Sequence, residues 1–330
     1  MNLRLHFSLS GIMRVVFLDT KTLGNIPNLH VLEKYGQVTY YETTLPWQTQ
    51  TRIKDADIVI TNKVVIDEAA LNGAPDLKLI CIAATGTNNV DKTAAAKRGI
   101  PVKNAVDYST RSVTQGTFAL LLHLLVNIPY YDQYVKIGEY AKTDIFTHFG
   151  PGFWELADKR FGIIGLGHIG RQVAKIADVF GCEVVYYSTS GQNNQQSYKR
   201  LELDEFLGTC DIISIHAPLN ENTANFINYD RLSRMKKSAI LINVGRGGIV
   251  NEADLAKALD EDLIAGAGID VYSQEPILPD NPLLHVKNKA RLALTPHVTW
   301  ASIESRTLLM EKVAQNIDAF LQDCVQRVMG

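Results

Sequence analysis

Short β-branched runs alternate with helical patterns along nearly the whole chain, and they do so in two successive series. The first series holds RVVFLD (14–19), QVTYYE (37–42), DIVITN (57–62) and LKLICIAA (77–84). The second holds RFGIIG (160–165), EVVYYS (183–188), DIISIH (211–216), AILINV (239–244), LIAGAGID (263–270) and RLALTP (291–296). A continuous apolar run suits a strand buried on both faces, as in a parallel sheet covered by helices. Two such series predict an α/β chain with two doubly wound parallel-sheet domains.

Between the series lies a predicted helix, Ser109 to Ile128, containing FALLLHLLVNI. It is apolar nearly all round, so it belongs in a core, between domains or at a subunit interface. His123 on its apolar face then reads as a core or interface residue. An aromatic loop follows over 140–156, with Phe146, Phe149, Phe153 and Trp154, suited to reach a partner or cover a site. The last helix, about Ala301 to Gln322, is expected to pack back on the first domain. The expected domains are therefore 13–106 with 299–330, and 107–298 inserted between them. Residues 1–12 read as an extension, too weakly apolar for a signal-peptide core, before a fold that starts at Met13.

With 330 residues, 46% of them apolar, the chain can bury two cores. A formal net charge of −2 with no basic stripe argues against nucleic acid as a partner. No polybasic block or bilayer-length apolar run points to a membrane. Cys81, Cys182, Cys210 and Cys324 lie far apart, as in a reduced, cytoplasmic protein. The eight histidines do not pair at metal-ligand spacing, and no metal site is expected.

The strongest local motif is Gly165-Leu-Gly167-His-Ile-Gly170. An apolar strand leads into it, and a helix with Ile169, Val173, Ile176, Ala177 and Phe180 on one face follows. A second apolar strand completes a βαβ unit, the context that makes GxGxxG specific. Gly165 permits the tight turn, Gly167 admits a pyrophosphate, and Gly170 lets helix and strand approach. Free N–H groups and the positive dipole end at the helix N-terminus favour phosphate. His168, inside the motif, reads as an exposed loop residue. The second strand ends Tyr187-Ser188-Thr189-Ser190, with no carboxylate for a ribose and no arginine next to it. Lys199 and Arg200 lie well along the chain. The expectation is NAD, with NADP open.

Three further motifs sit at strand ends in the second series, where ligands of such sheets bind. They are Asn243-Val-Gly-Arg246-Gly-Gly, Asp270-Val-Tyr-Ser-Gln-Glu275-Pro276 and Thr295-Pro296-His297. Each alone has an ordinary reading: Arg246 as an ion-pair partner, Glu275 as a solvated acid, His297 as a helix cap. Together they supply the chemistry for reducing a 2-keto acid. Arginine clamps the carboxylate and polarises the keto group. Histidine donates a proton as hydride arrives at carbon. A glutamate beside the histidine fixes its ring and favours its protonated form.

GLGHIG, HAPLNENT (216–223), NVGRGGIVNE, GIDVYSQEP and TPHVTWAS, in that order, resemble the D-isomer-specific 2-hydroxyacid dehydrogenase family over nearly the whole chain. The resemblance implies a Rossmann-like cofactor domain inserted into a flavodoxin-like substrate domain, catalysis between them, and a homodimer. It gives the catalytic roles to Arg246, Glu275 and His297. It assigns Gly165, Gly167, His168, Ile169, Gly170, Ser188, Thr189, His216, Ala217, Pro218, Thr223, Val244, Gly245, Arg246, Asp270 and His297 to the cofactor, Asp270 at the nicotinamide carboxamide. It assigns Lys63, Thr85, Gly86, Thr87, Arg246, His297 and Trp300 to the substrate, a small 2-keto or 2-hydroxy acid. The usual acidic residue of the cofactor strand is replaced by Ser188.

Trp300, three residues after His297, resembles the glycerate dehydrogenase and hydroxypyruvate reductase branch. The polar TGTNN loop has no cation for a phosphorylated substrate, with Lys63 the lone exception. Phosphoglycerate and formate dehydrogenases of the same superfamily are competing readings, the latter disfavoured by Glu275. A non-catalytic NAD-sensing corepressor is the rival from another class.

Overall fold

The computed structural model describes residues 12–192 and 197–329. The extension expected over 1–12 lies, save for the exposed Ile12, outside the described residues. Contacts divide the chain into two compact units. One holds the described residues up to Ser109 together with those from Ala301 onward, and the other is Thr110–Trp300.

The first unit is built on β1 (Arg14–Phe17), β2 (Gln37–Tyr40), β3 (Ile58–Thr61), β4 (Leu79–Ile82) and β5 (Val102–Asn104). They pair in the order β2-β1-β3-β4-β5, every neighbour parallel. That is the flavodoxin-like order. Short helices α1 (Thr49–Ile53), α2 (Glu68–Asn72) and α3 (Lys92–Lys97) connect the strands. Asp67 and Asp91 cap the last two, each accepting an N–H from the third residue on. Ile53, Leu71, Val59, Ile80 and Ile82 form the core on one side of the sheet. The C-terminal helix, Ile303–Met329, packs on β4 and β5 within the same unit, and Tyr35 Oη donates to Ala314 O at 2.7 Å.

The second unit contains β6 (Arg160–Ile164), β7 (Glu183–Tyr187), β8 (Lys199–Arg200), β9 (Ile212–Ile215), β10 (Ile240–Asn243), β11 (Gly266–Ile269) and β12 (Leu292–Leu294). The order is β12-β11-β10-β9-β6-β7-β8, all parallel. Counted from β6, the first six read 3-2-1-4-5-6, the dinucleotide-binding order, with β12 added at one edge. Its helices are α4 (Thr110–Val126), α5 (Ile128–Lys136), α6 (His168–Val179), α7 (Leu203–Thr209), α8 (Tyr229–Ser233) and α9 (Glu252–Asp260).

Strand side chains alternate between two cores. Phe161, Ile163, Tyr186 and Ile242 face α4 and α6, meeting Phe118, Leu121, Val173 and Ala177. Ile164, Val185, Ile215 and Leu241 face the other way, meeting Phe206, Leu232, Leu255 and Leu259. Fully buried side chains such as Leu121 and Phe161 stabilise by about 2 kcal/mol each.

The structure refines several sequence expectations. The long central helix ends at Val126, because Asn127 adopts a left-handed conformation (φ 55°) and α5 starts afresh at Ile128. α5 buries none of its residues. His123 is exposed on α4, so of its two expected places, core or interface, the core is excluded. β5 and β8 were not anticipated, since Val-Lys-Asn and Lys-Arg carry no apolar run. In the 140–156 loop, Phe146 is 90% exposed and Phe149 86%, while Trp154 packs on the α4 core. Among the described residues no single helix is long and apolar enough to cross a membrane.

Candidate active site

The glycine turn lies where the strand order reverses, between β6 and its neighbours β7 and β9. Gly165 leaves β6 with φ 90°, and its N–H donates to Tyr187 O at 3.2 Å. A Cβ there would sit 2.8 Å from Ala217 N, so only glycine lets the turn pass the chain leaving β9. A Cβ on Gly170 would be 2.3 Å from Gly165 O, which sets how closely α6 approaches the turn. Gly167 caps α6, and a Cβ at this position would meet nothing within 4 Å. Open space in front of a twelve-residue helix's N-terminus fits a pyrophosphate. His168 is the first helical residue, exposed but not in the loop, and Ile169 is partly buried.

Ser188 is buried and Thr189 partly so at the end of β7. His216 leaves β9 with its N–H on Ile164 O (2.8 Å) and its Nε2 2.8 Å from Ser214 Oγ. Burial pushes its pKa down to about 3, so the ring is neutral near pH 7. Ala217 is buried and Pro218 exposed. Thr223 lies in the turn that follows. It is fully buried, and its hydroxyl donates to Pro218 O at 2.6 Å, which shapes the turn.

The three motifs that carry Arg246, Glu275 and His297 emerge from adjacent strands. Asn243, Ile269 and Leu294 are in lateral register at the ends of β10, β11 and β12. Asp270 N–H donates to Asn243 O, Thr295 N–H to Ile269 O, and His297 N–H to Asp270 O. His297 Nδ1 lies 2.7 Å from Glu275 Oε2, while Glu275 Oε1 accepts the Tyr272 N–H at 3.0 Å. The carboxylate is thereby held at both oxygens. With Nδ1–H donating to Glu275, Nε2 is the nitrogen left for a reacting oxygen. Tyr272 Oη donates to Thr295 O (2.9 Å), and burial pushes its pKa up to about 12.

Arg246 follows the buried Val244 and the partly buried Gly245. The Asn243 amide staples this turn, donating to Arg246 O and accepting from Gly245 N–H, each at 3.1 Å. The guanidinium donates to Gly245 O at 2.7 Å. Gly247 is pressed against the loop that carries Glu275, since a Cβ on it would fall 1.7 Å from Tyr272 O. The absence of a side chain here brings the arginine and glutamate loops together.

Asp270, entirely buried, is the centre of a clamp that the sequence did not reveal. Its Oδ1 accepts Thr295 Oγ1 (2.6 Å) and Val298 N (2.8 Å). Its Oδ2 accepts Thr299 Oγ1 (2.6 Å) and Thr299 N (3.1 Å). These bonds bracket His297, which sits in the left-handed region at φ 51°. A carboxylate with two hydroxyls and two amides is well satisfied without a ligand. The only sequence signal was a threonine two residues to either side of the histidine.

Residues 118–299, more than half of the chain and all within the second unit, match the family described as D-isomer specific 2-hydroxyacid dehydrogenase, NAD binding domain. The chain belongs to this family. A glycerate dehydrogenase of Methylorubrum extorquens is 36% identical over 96% of this dehydrogenase and 98% of its own length. A hydroxypyruvate reductase of Blautia hydrogenotrophica is 36% identical, covering 94% and 97%. Among solved structures, an NADPH-dependent glyoxylate/hydroxypyruvate reductase of Sinorhizobium meliloti, in complex with NADP and malonate, aligns with a TM-score of 0.79. It is 27% identical and covers 94% of each chain.

In the first unit of the dehydrogenase, the loops after β3 and β4 meet. Asn89 Nδ2 donates to Val64 O (3.0 Å), and Ile66 N–H donates to Asn89 O. Lys63 is exposed, and its backbone N–H donates to the buried Asp19. Burial raises the Asp19 carboxyl above its ordinary value, against the N–H groups of Asn62, Lys63 and Val64. Thr85 is exposed, Gly86 and Thr87 partly buried, and Thr85 O accepts from Asn104 Nδ2 at 2.7 Å. In the second unit, Trp300 is partly buried against the α4 core. Among the described residues no group of three or more His, Cys, Asp or Glu could hold a metal ion.

Proposed function

We propose that this NAD(P)-dependent 2-hydroxyacid dehydrogenase interconverts hydroxypyruvate and D-glycerate, as a cytoplasmic homodimer. The observation that carries the catalytic reading is the His297–Glu275 pair, 2.7 Å apart, in the segments that leave β11 and β12 of the sheet that also carries the glycine turn. His297 Nε2 gives its proton to the keto oxygen and recovers it in oxidation. Glu275 holds the ring through Nδ1 and compensates the charge that alternates there. Arg246 binds the substrate carboxylate and polarises the keto group through its planar fork. A bound nicotinamide supplies or takes the hydride at C2. Gly165, Gly167 and Gly170 with the start of α6 hold the pyrophosphate, and Lys63 and Thr85–Thr87 are substrate-binding residues.

The small polar substrate is supported by the names of the relatives, by Trp300 and by the polar TGTNN loop. The test is a panel of keto acids assayed with NADH and with NADPH. Hydroxypyruvate is expected to exceed pyruvate and glyoxylate in kcat/KM. A phosphorylated or branched keto acid favoured about tenfold over hydroxypyruvate, about 1.4 kcal/mol in the wrong direction, would overturn the substrate.

The dimer is supported by apolar surface that a lone chain leaves in water. Phe146, Phe149 and Phe153 are exposed, as are Ile128 and Val135 of α5. Sedimentation at micromolar concentration should give twice the chain mass, and a monomer would refute it. Cys81, Cys182, Cys210 and Cys324 are buried and form no disulfide, in keeping with a reducing compartment.

A further inference from the structure

Glu275 stands in a segment that apolar burial does not hold. Residues 273–280 are exposed, save the partly buried Ile277, and carry no helix or strand, while Tyr272 and Asn281 at either end are buried. Hydrogen bonds must therefore fix its course. Two of them end on one carboxylate outside the segment. Glu252 Oε1 accepts the Ser273 N–H at 2.6 Å, and Glu252 Oε2 accepts from Asn281 Nδ2 at 2.5 Å. Glu252 is itself firmly mounted. It opens α9, whose cap Asn251 accepts the Asp254 N–H at 3.0 Å, and Leu255 and Leu259 of that helix are buried. Asn281 is fixed as well, its Oδ1 accepting the Leu283 N–H at 3.0 Å.

We propose that Glu252 is a positioning residue for the reaction, tying down both ends of the segment that carries Glu275 and so setting where Glu275 meets His297. The proposal rests on the dehydrogenase reading, in which Glu275 orients the proton-donating ring. A pair 2.7 Å apart works only while its supports keep it within a fraction of an ångström of that geometry. Glu275 Oε1 is bonded to the Tyr272 N–H, next to Ser273. The carboxylates of Glu275 and Glu252 thus hold two successive N–H groups, one from within the segment and one from outside it. Hydrogen bonds to an ionised acceptor are the strong ones. An acid in the first turn of a helix also favours the helix through its dipole, but that role needs no contact with Ser273 or Asn281. Glu252 closes the NVGRGGIVNE run that includes Arg246, so one stretch of chain supplies the arginine and holds the glutamate loop.

The test is a set of variants of the whole protein, read by kcat, by dinucleotide Kd and by the denaturant midpoint. Glu252→Gln should lower kcat about tenfold to hundredfold, the scale of a reacting group misplaced by a change away from the chemistry, with the dinucleotide Kd unchanged. The amide of glutamine has one oxygen and cannot accept from Ser273 and Asn281 as the carboxylate does. Asn281→Asp keeps the acceptor for Leu283 but sets carboxylate against carboxylate, and should do the same. Glu252→Gln combined with Asn281→Asp restores a donor and an acceptor between the two side chains with their roles exchanged, and should recover most of kcat. In a Glu275→Gln background, Glu252→Gln should cost no further activity, because both act through one contact. Wild-type kcat in Glu252→Gln, with or without a lowered midpoint, would overturn the proposal. So would failure of the exchanged pair to recover, or a full additive loss on top of Glu275→Gln. Each of these leaves the dehydrogenase reading intact, whereas wild-type kcat in Glu275→Gln would overturn both.

Discussion

His297→Asn is expected to lower kcat by about a hundredfold or more while leaving the dinucleotide Kd unchanged. The choice of asparagine follows from the backbone. His297 sits at φ 51°, and asparagine is among the few residues that adopt the left-handed region readily. The loop and its N–H bond to Asp270 O should survive, so the variant isolates the loss of the proton donor. The amide cannot protonate a keto oxygen, nor take the proton back in the oxidative direction. Turnover and cofactor affinity are to be measured together, the second by fluorescence titration. A variant retaining near-normal kcat would remove His297 from the chemistry. One with lost cofactor affinity would show that the loop had collapsed.

Asp270→Ala should destabilise the second unit by at least about 3 kcal/mol. The substitution leaves the Thr295 and Thr299 hydroxyls and the Val298 and Thr299 N–H groups without the acceptor they share. A stranded buried donor costs roughly 1–3 kcal/mol, and water entering the space recovers part of this. The damage should reach catalysis, because these bonds hold the backbone on both sides of His297. Denaturant unfolding gives the first quantity and kcat the second. Thr299→Val, which removes one hydroxyl and keeps both amides bound, should show a smaller loss in each. If Asp270→Ala unfolded at the wild-type midpoint and turned over normally, the clamp would have no role in placing His297.

The βαβ rhythm, the glycine turn and the strand-end placing of Arg246, Glu275 and His297 were legible in the sequence because each is a local property. A strand buried on both faces must be apolar throughout, as Ile212–Ile215 and Ile240–Asn243 are. A pyrophosphate turn needs its glycines at fixed spacing, and Gly165, Gly167 and Gly170 supply it. Arg246, Glu275 and His297 follow strands whose ends a doubly wound sheet aligns, so they could be grouped before any distance was known. The aromatic loop was also visible as composition.

What only the tertiary structure decided were relations between segments whose individual patterns are unremarkable. Lys199–Arg200 reads as a charged stretch of loop until its parallel pairing with Val185 and Tyr186 makes it a strand. An edge strand of two exposed or half-exposed residues needs no hydrophobic signal. Gly247 reads as one glycine among several, until its position against Tyr272 O shows that two loops close over it. Asp270 reads as an acid awaiting a ligand, until both its oxygens are found bonded by Thr295, Val298 and Thr299. Hydrophobic burial is imposed residue by residue, and so leaves a period in the sequence. Hydrogen-bond satisfaction and close backbone approach are imposed on pairs of groups brought together by folding, and a linear pattern holds no record of the partner.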